Sequence, residues 1–197
     1  MIKELELFMT DPIVAHFKDM FEMNKHVLTP NKLNNLYIQE KSRSYLCGWV
    51  DDNIIDENLS SMIPHIRELM KQNGFETDDS TNTFSAEFHY SYISDNGIIP
   101  DTFTIHQDDY SSIEYEVNTF ILYLDVKCFG GELVFYNINQ EVTCCMFDEY
   151  EPFCTIDTNN PTEISCKAVI FDGSIYHKPN TIVNGHRLSI VVTIPRK

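Results

Sequence analysis

Four residues, His106, Asp108, His177 and Arg187, combine side-chain types and spacings that can do chemistry together. His106-Gln107-Asp108 sets a histidine and a carboxylate two positions apart, and on a strand that spacing points both side chains to one face. Both can then reach one metal ion. His177 follows the apolar run Ala168-Val169-Ile170-Phe171-Asp172 and the turn Gly173-Ser174, a place from which its ring can return to the same metal. Two histidines and a carboxylate on one face suit Fe(II) and leave three coordination positions open, as O2 activation requires. Arg187 opens an otherwise apolar stretch, 187–194. A guanidinium there is strongly disfavoured unless a carboxylate meets it, and its planar fork suits bidentate recognition. Ser189 shares its face and can donate a further hydrogen bond. The simpler alternative for Arg187 is an ion pair with one of the local acids.

Charge limits the partners. The formal net charge is −16, and between Asp101 and Glu163 thirteen acidic residues face a single basic one, Lys127. Nucleic-acid binding by counterion release needs clustered Lys and Arg, so no nucleic-acid partner is expected. Neutral or cationic partners such as a peptide segment suit this field better, although acidity also serves solubility. Met1-Ile2-Lys3-Glu4-Leu5-Glu6 carries acids where a secretory leader has a basic and then an apolar run. No stretch approaches the ~18 apolar residues of a membrane span. A cytoplasmic location without membrane attachment is therefore expected, with the six cysteines as free thiols. No C-x-x-C occurs, which disfavours structural zinc.

The length of 197 residues suits one domain. Residues 1–84 read as a helical support region. Thr10 or Asp11 can cap a helix with Pro12 in its first turn, and Ile13, Phe17, Met20, Phe21 and Asn24 follow at helical spacing. A second helix is expected from near Ser61, with Pro64 in its first turn and Gly74 as the stop. A short strand is expected over 44–50 between them. Residues 85–197 read as the core: strands at 84–94, 102–108, 117–125, 132–137, 143–147, 167–172, 176–182 and 187–194, separated by turn signals at Asn96-Gly97, Gly130-Gly131, Asp172-Gly173 and Asn184-Gly185. Helices followed by many short strands predict an α+β domain whose sheets pack on each other as a sandwich or jelly roll. The least regular and most acidic segment, 140–165, reads as a long surface insertion.

The order of these motifs carries a resemblance. Thr119-Phe120-Ile121-Leu122-Tyr123-Leu124-Asp125 followed by Gly130-Gly131-Glu132-Leu133-Val134-Phe135, and then Phe171-Asp172-Gly173, His177 and Arg187-x-Ser189, resembles the prolyl 4-hydroxylase-like 2-oxoglutarate/Fe(II)-dependent dioxygenases from about residue 87 to 194. H-x-D occurs in many chains by chance, whereas five motifs in family order at near-family spacing do not.

The resemblance implies a double-stranded β-helix (jelly-roll) core with N-terminal supporting helices. It implies Fe(II) on His106, Asp108 and His177, 2-oxoglutarate as cosubstrate with its distal carboxylate on Arg187 and Tyr123, and support from Ser189. A tyrosine on the strand before H-x-D, Tyr92 in preference to Tyr90, would lie near the cosubstrate. The stretch from Tyr92 to His106 is longer than in many relatives. The implied reaction consumes O2 and releases succinate and CO2, with ascorbate as a candidate reductant. Retention of Asp108 favours hydroxylation over halogenation. A protein substrate hydroxylated at proline is the leading expectation; a free amino acid or other small molecule, and a non-catalytic jelly-roll metal-binding module, are the alternatives. Gly130 and Gly131 are expected to serve a sharp turn, and His186 to face away from Arg187.

Overall fold

The computed structural model describes residues 1–24, 29–30, 44–49, 57–80, 84–92, 105–108, 116–138 and 150–196. The chain runs β1 (Ile2–Phe8), α1 (Pro12–Asn24), β2 (Thr29–Pro30), β3 (Ser44–Trp49), α2 (Glu57–Gln72), β4 (Ser85–Tyr92), β5 (Val117–Gly130), β6 (Leu133–Tyr136), β7 (Pro152–Ile156), β8 (Ser165–Asp172), β9 (Tyr176–Pro179) and β10 (Ile182–Pro195). Two antiparallel sheets result, a larger one in the order β1-β8-β5-β10-β4-β3-β2 and a smaller one in the order β7-β6-β9. Beyond β9, His106 pairs with His177 as an isolated antiparallel bridge.

Alternation along the central strands creates two apolar layers. On β5, Phe120, Leu122 and Leu124 join Phe88, Leu188, Ile190 and Val192 and pack against Val14, Phe17 and Met20 of α1 and Ile66 and Met70 of α2. Ile121, Tyr123 and Val126 point to the other face, toward Leu133 and Phe135 of the small sheet. The helices thus cover one face of the large sheet and the small sheet covers the other. Each large apolar side chain buried this way contributes about 1.5–3 kcal/mol.

Local chemistry explains the helix ends. Asp11 accepts the Ile13 amide at 2.9 Å, capping α1 as expected. After α2, Gly74 takes φ +86°, with the Phe75 amide donating to Met70 O and the Gly74 amide to Lys71 O, the paired bonds of a glycine-terminated helix. Helix α2 begins at Glu57, ahead of the expected Ser61, so Pro64 lies inside the helix.

Other differences come from long-range pairing. The N-terminal segment forms β1, which zips onto β8 from Ile2↔Phe171 to Phe8↔Ser165. Three strands of the 1–84 region therefore join the large sheet, and the region is more than helical support. Segment 140–165, expected to be a surface insertion, contributes β7, which pairs with β6. Gly185, expected in a turn, sits within β10 at φ +89°. The strand expected at 143–147 and the Asn96-Gly97 turn lie outside the described residues.

Candidate functional site

The two sheets bring the sequence's candidate residues into the space between them. His106 and His177 face each other across reciprocal backbone bonds, His106 N to His177 O at 3.0 Å and His177 N to His106 O at 2.8 Å. Their ring centroids lie 4.4 Å apart. Asp108 is fixed by its own amide donating to Gly173 O at 2.9 Å, and by the Thr119 hydroxyl donating to its Oδ2 at 2.5 Å. That second bond ties the H-x-D segment to β5 of the large sheet.

The three side chains converge. Asp108 Oδ1 is 3.7 Å from His106 Nε2, and Asp108 Oδ2 is 3.6 Å from His177 Nε2. One donor atom from each residue fits within a 4.8 Å span, close enough for one ion with bonds of roughly 2.1–2.4 Å to touch all three. Among the described residues, no other His/Cys/Asp/Glu group gathers in this way.

The histidine farther along the chain is prepared as a ligand. His177 is buried against Phe171, with ring centroids 4.6 Å apart, and its Nδ1 lies 2.9 Å from Ile175 O. A carbonyl can only accept, so Nδ1 carries the proton and the Nε2 lone pair is left toward Asp108. Burial pushes its pKa down, against the opposing pull of Asp108. A neutral imidazole is the form a metal needs.

Arg187 lies between the sheets, 4% exposed. Among the described residues its guanidinium makes one hydrogen bond, Nη1 to Gly131 O at 2.7 Å, and no ion pair with a carboxylate. Burial lowers its pKa while Tyr123, Cys128 and Glu132 act the other way; a guanidinium stays protonated regardless. A buried cation that meets only a neutral carbonyl is incomplete without an anion. Tyr123 is also buried, and desolvation raises its pKa while Arg187 lowers it. Its phenol is therefore a neutral hydrogen-bond donor. Ser189 is buried opposite Tyr123 in the β5–β10 ladder.

In the β4–β10 ladder, Ser91 stands opposite Arg187 and His89 opposite Ser189, whereas Tyr92 stands opposite His186 and Tyr90 opposite Leu188. Opposed residues share a face of the pleat. Tyr90 and Tyr92 are thus placed by their backbone register alone, across from Leu188 and His186. His186 is turned away from Arg187 and lies 3.1 Å from Asp125 on the opposite face.

The chain is similar in structure to a prolyl-4-hydroxylase from Pseudomonas putida (TM-score 0.54, 15% identity, covering 100% of this chain and 92% of that one). It is similarly close to a 2OG-Fe(II) oxygenase family oxidoreductase from Burkholderia pseudomallei (0.58, 13%, 98% and 84%). This is the fold of the 2-oxoglutarate-Fe(II) oxygenases. A prolyl hydroxylase from Trichoplax adhaerens, solved with a hypoxia inducible factor peptide fragment, shares it as well (0.51, 13%, 99% and 83%). No protein-family profile and no curated protein sequence matches the chain.

Within this oxygenase fold, two contributors were not singled out from sequence. Thr119 holds Asp108; it belongs to the quoted β5 motif but sits in an apolar run where a hydroxyl reads as filler. The Gly131 carbonyl holds Arg187, and a backbone acceptor leaves no mark in residue type.

Proposed function

We propose that this chain is an Fe(II)- and 2-oxoglutarate-dependent dioxygenase that hydroxylates a protein substrate at proline. The observation that carries the reading is the buried Arg187 guanidinium, which has no carboxylate partner among the described residues and shares the inter-sheet space with the His106-Asp108-His177 set. A metal centre alone has no use for such a cation. An anionic cosubstrate does.

In this reading His106, Asp108 and His177 hold the iron, and the neutral His177 and Thr119-braced Asp108 are suited to do so. Arg187 takes the distal carboxylate of 2-oxoglutarate through its fork, with Tyr123 donating its phenol proton and Ser189 its hydroxyl. Phe135 and Phe171 wall the His177 side and exclude water from it. Iron and cosubstrate, when bound, supply the oxidation of a C–H bond by O2 with release of succinate and CO2. The sheet order, with β4-β10-β5-β8 facing the His106 bridge-β9-β6-β7, supports a double-stranded β-helix core. It also supports one catalytic unit, with 85–197 as the jelly roll and 1–84 bracing it. The peptide-prolyl assignment rests on the likeness to two proteins described as prolyl hydroxylases, and the −16 charge agrees with a neutral or basic peptide.

Purified protein given Fe(II), ascorbate and 2-oxoglutarate is expected to release succinate, faster with proline-containing peptides. His177→Ala and Arg187→Ala should abolish that release. No consumption of 2-oxoglutarate under any metal or peptide condition overturns the enzyme reading, and turnover restricted to free amino acids or other small molecules overturns the peptide assignment.

A further inference from the structure

The segment between β7 and β8 follows an acidic stretch and looks featureless by residue type, yet three consecutive side chains in it grip the backbone of the neighbouring strand and turn. Thr158 is fully buried and its hydroxyl donates to Gly131 O at 3.0 Å. Asn159 Oδ1 accepts the Cys128 amide at 3.1 Å. Asn160 Nδ2 reaches Leu124 O at 3.5 Å, at the irregularity where β5 shifts register against β10. Asn159 is itself held to Asp157 Oδ1 through its backbone and side-chain nitrogens at 3.0 and 2.8 Å. Residues 158–160 therefore fasten β5 at three points, from its register shift to the Gly130-Gly131 turn.

The last of these points is also where Arg187 is held. The Gly131 carbonyl has two lone pairs; one receives Thr158 Oγ1 and the other Arg187 Nη1 at 2.7 Å. Both donors are buried. The Gly131 carbonyl thus links the Thr158 hydroxyl to one arm of the guanidinium, and a change at either donor bears on the other. Because the shared acceptor is neutral, the cation is aimed without being neutralised.

We propose that Thr158-Asn159-Asn160 is a strap that positions Arg187 for the carboxylate of 2-oxoglutarate, with Thr158 as a positioning residue acting through the Gly131 carbonyl. The inference rests on the function proposed above. It assigns the strap to cosubstrate affinity and excludes it from metal affinity, because none of its bonds reaches His106, Asp108 or His177.

The test measures two binding constants on the full chain by calorimetry: that of Mn(II), and that of 2-oxoglutarate for the Mn(II)-loaded protein. Thr158→Val keeps the shape and removes the donor, so 2-oxoglutarate binding should weaken about tenfold while Mn(II) binding stays within about twofold. Thr158→Ser restores a hydroxyl and should recover the cosubstrate affinity. Asn159→Ala, at a half-buried position that leaves the core closed, should weaken 2-oxoglutarate binding severalfold even if Thr158→Val fails to fold. Unchanged 2-oxoglutarate affinity in Thr158→Val, or in Asn159→Ala where Thr158→Val does not fold, overturns the strap. Equal loss in the Val and Ser variants, or parallel loss of Mn(II), also overturns it. Wild-type protein that binds Mn(II) but no 2-oxoglutarate overturns the reading of the site itself.

Discussion

Arg187 stands opposite Val126 in the β5–β10 ladder, and Asp125 stands opposite Leu188. Ser189 pairs with Tyr123, and the register then slips by one residue at Leu188. Without that slip Asp125 would share a face with Tyr123 and lie directly across from Arg187, since alternate strand residues share a face. The pair would be neutralised internally. The extra residue in β5 instead turns Asp125 to the other face, where it meets His186 at 3.1 Å, and presents buried Val126 to Arg187. A one-residue irregularity thus keeps the inter-sheet cation available.

Returning a carboxylate to that place should disable the 2-oxoglutarate site proposed at Arg187. Val126→Asp is expected to pair with Arg187 and weaken 2-oxoglutarate binding about 100-fold, because a buried cation with its own counter-ion no longer attracts an external one. Metal affinity should be nearly unchanged. Parallel titrations of metal and cosubstrate check this, and undiminished cosubstrate binding would contradict the role given to the register shift.

Thr119→Val removes the hydroxyl that holds Asp108 Oδ2 and keeps the side chain's volume. Loss of an outer partner of a metal-binding carboxylate lowers affinity about 10- to 100-fold. The decrease should appear in Fe(II) or Mn(II) titrations, with little change in melting temperature. Equal metal affinity in wild type and variant would show that Asp108 needs no brace.

The turn carrying Gly173 is anchored by Arg196, which bonds Asp172 and lies 2.9 Å from Glu116. Burial raises the Asp172 pKa, but bonds from Ser174 and from Arg196 outweigh it and hold the carboxyl below its usual value. A folded-state pKa depressed in this way adds stability above the unfolded value, and that stability disappears as pH falls through the folded value. Arg196→Ala should therefore lose about 1 kcal/mol at neutral pH, with the difference from wild type shrinking below about pH 4. Urea unfolding at several pH values measures it; a difference that grows on acidification would reverse the assignment.

Gly185 approaches β5 so closely that an added Cβ would lie 1.9 Å from Lys127 O, and its φ is +89°. Gly185→Ala must displace that backbone or change its own dihedral, and either response is expected to destabilise the fold by about 3 kcal/mol or more. A thermal melt decides. A variant as stable as wild type would mean the two strands separate there without penalty.

Chain-local features were legible in the residues alone. The Asp11 cap, the Gly74 stop, the Gly130-Gly131 turn and the alternation along β5 follow from backbone sterics and side-chain period, which act over a few residues. The candidate site was legible for a different reason: Arg187 is costly to bury without a partner and stands out at the start of an apolar strand, while His106, Asp108 and His177 gain weight only from their order with the other motifs. The tertiary structure alone decided what depends on contacts between distant segments. Strand β1 carries only a short Glu4-Leu5-Glu6-Leu7 alternation and becomes a strand by pairing with the edge of β8, and β7 lies in a stretch whose composition reads as loop but which β6 accepts as a partner. The displacement of Asp125 away from Arg187 is a property of register, and register is chosen by two strands together. Residue types determined which groups could bind a metal and an anion; pairing between remote strands decided that the cation would meet no carboxylate among the described residues of its own chain.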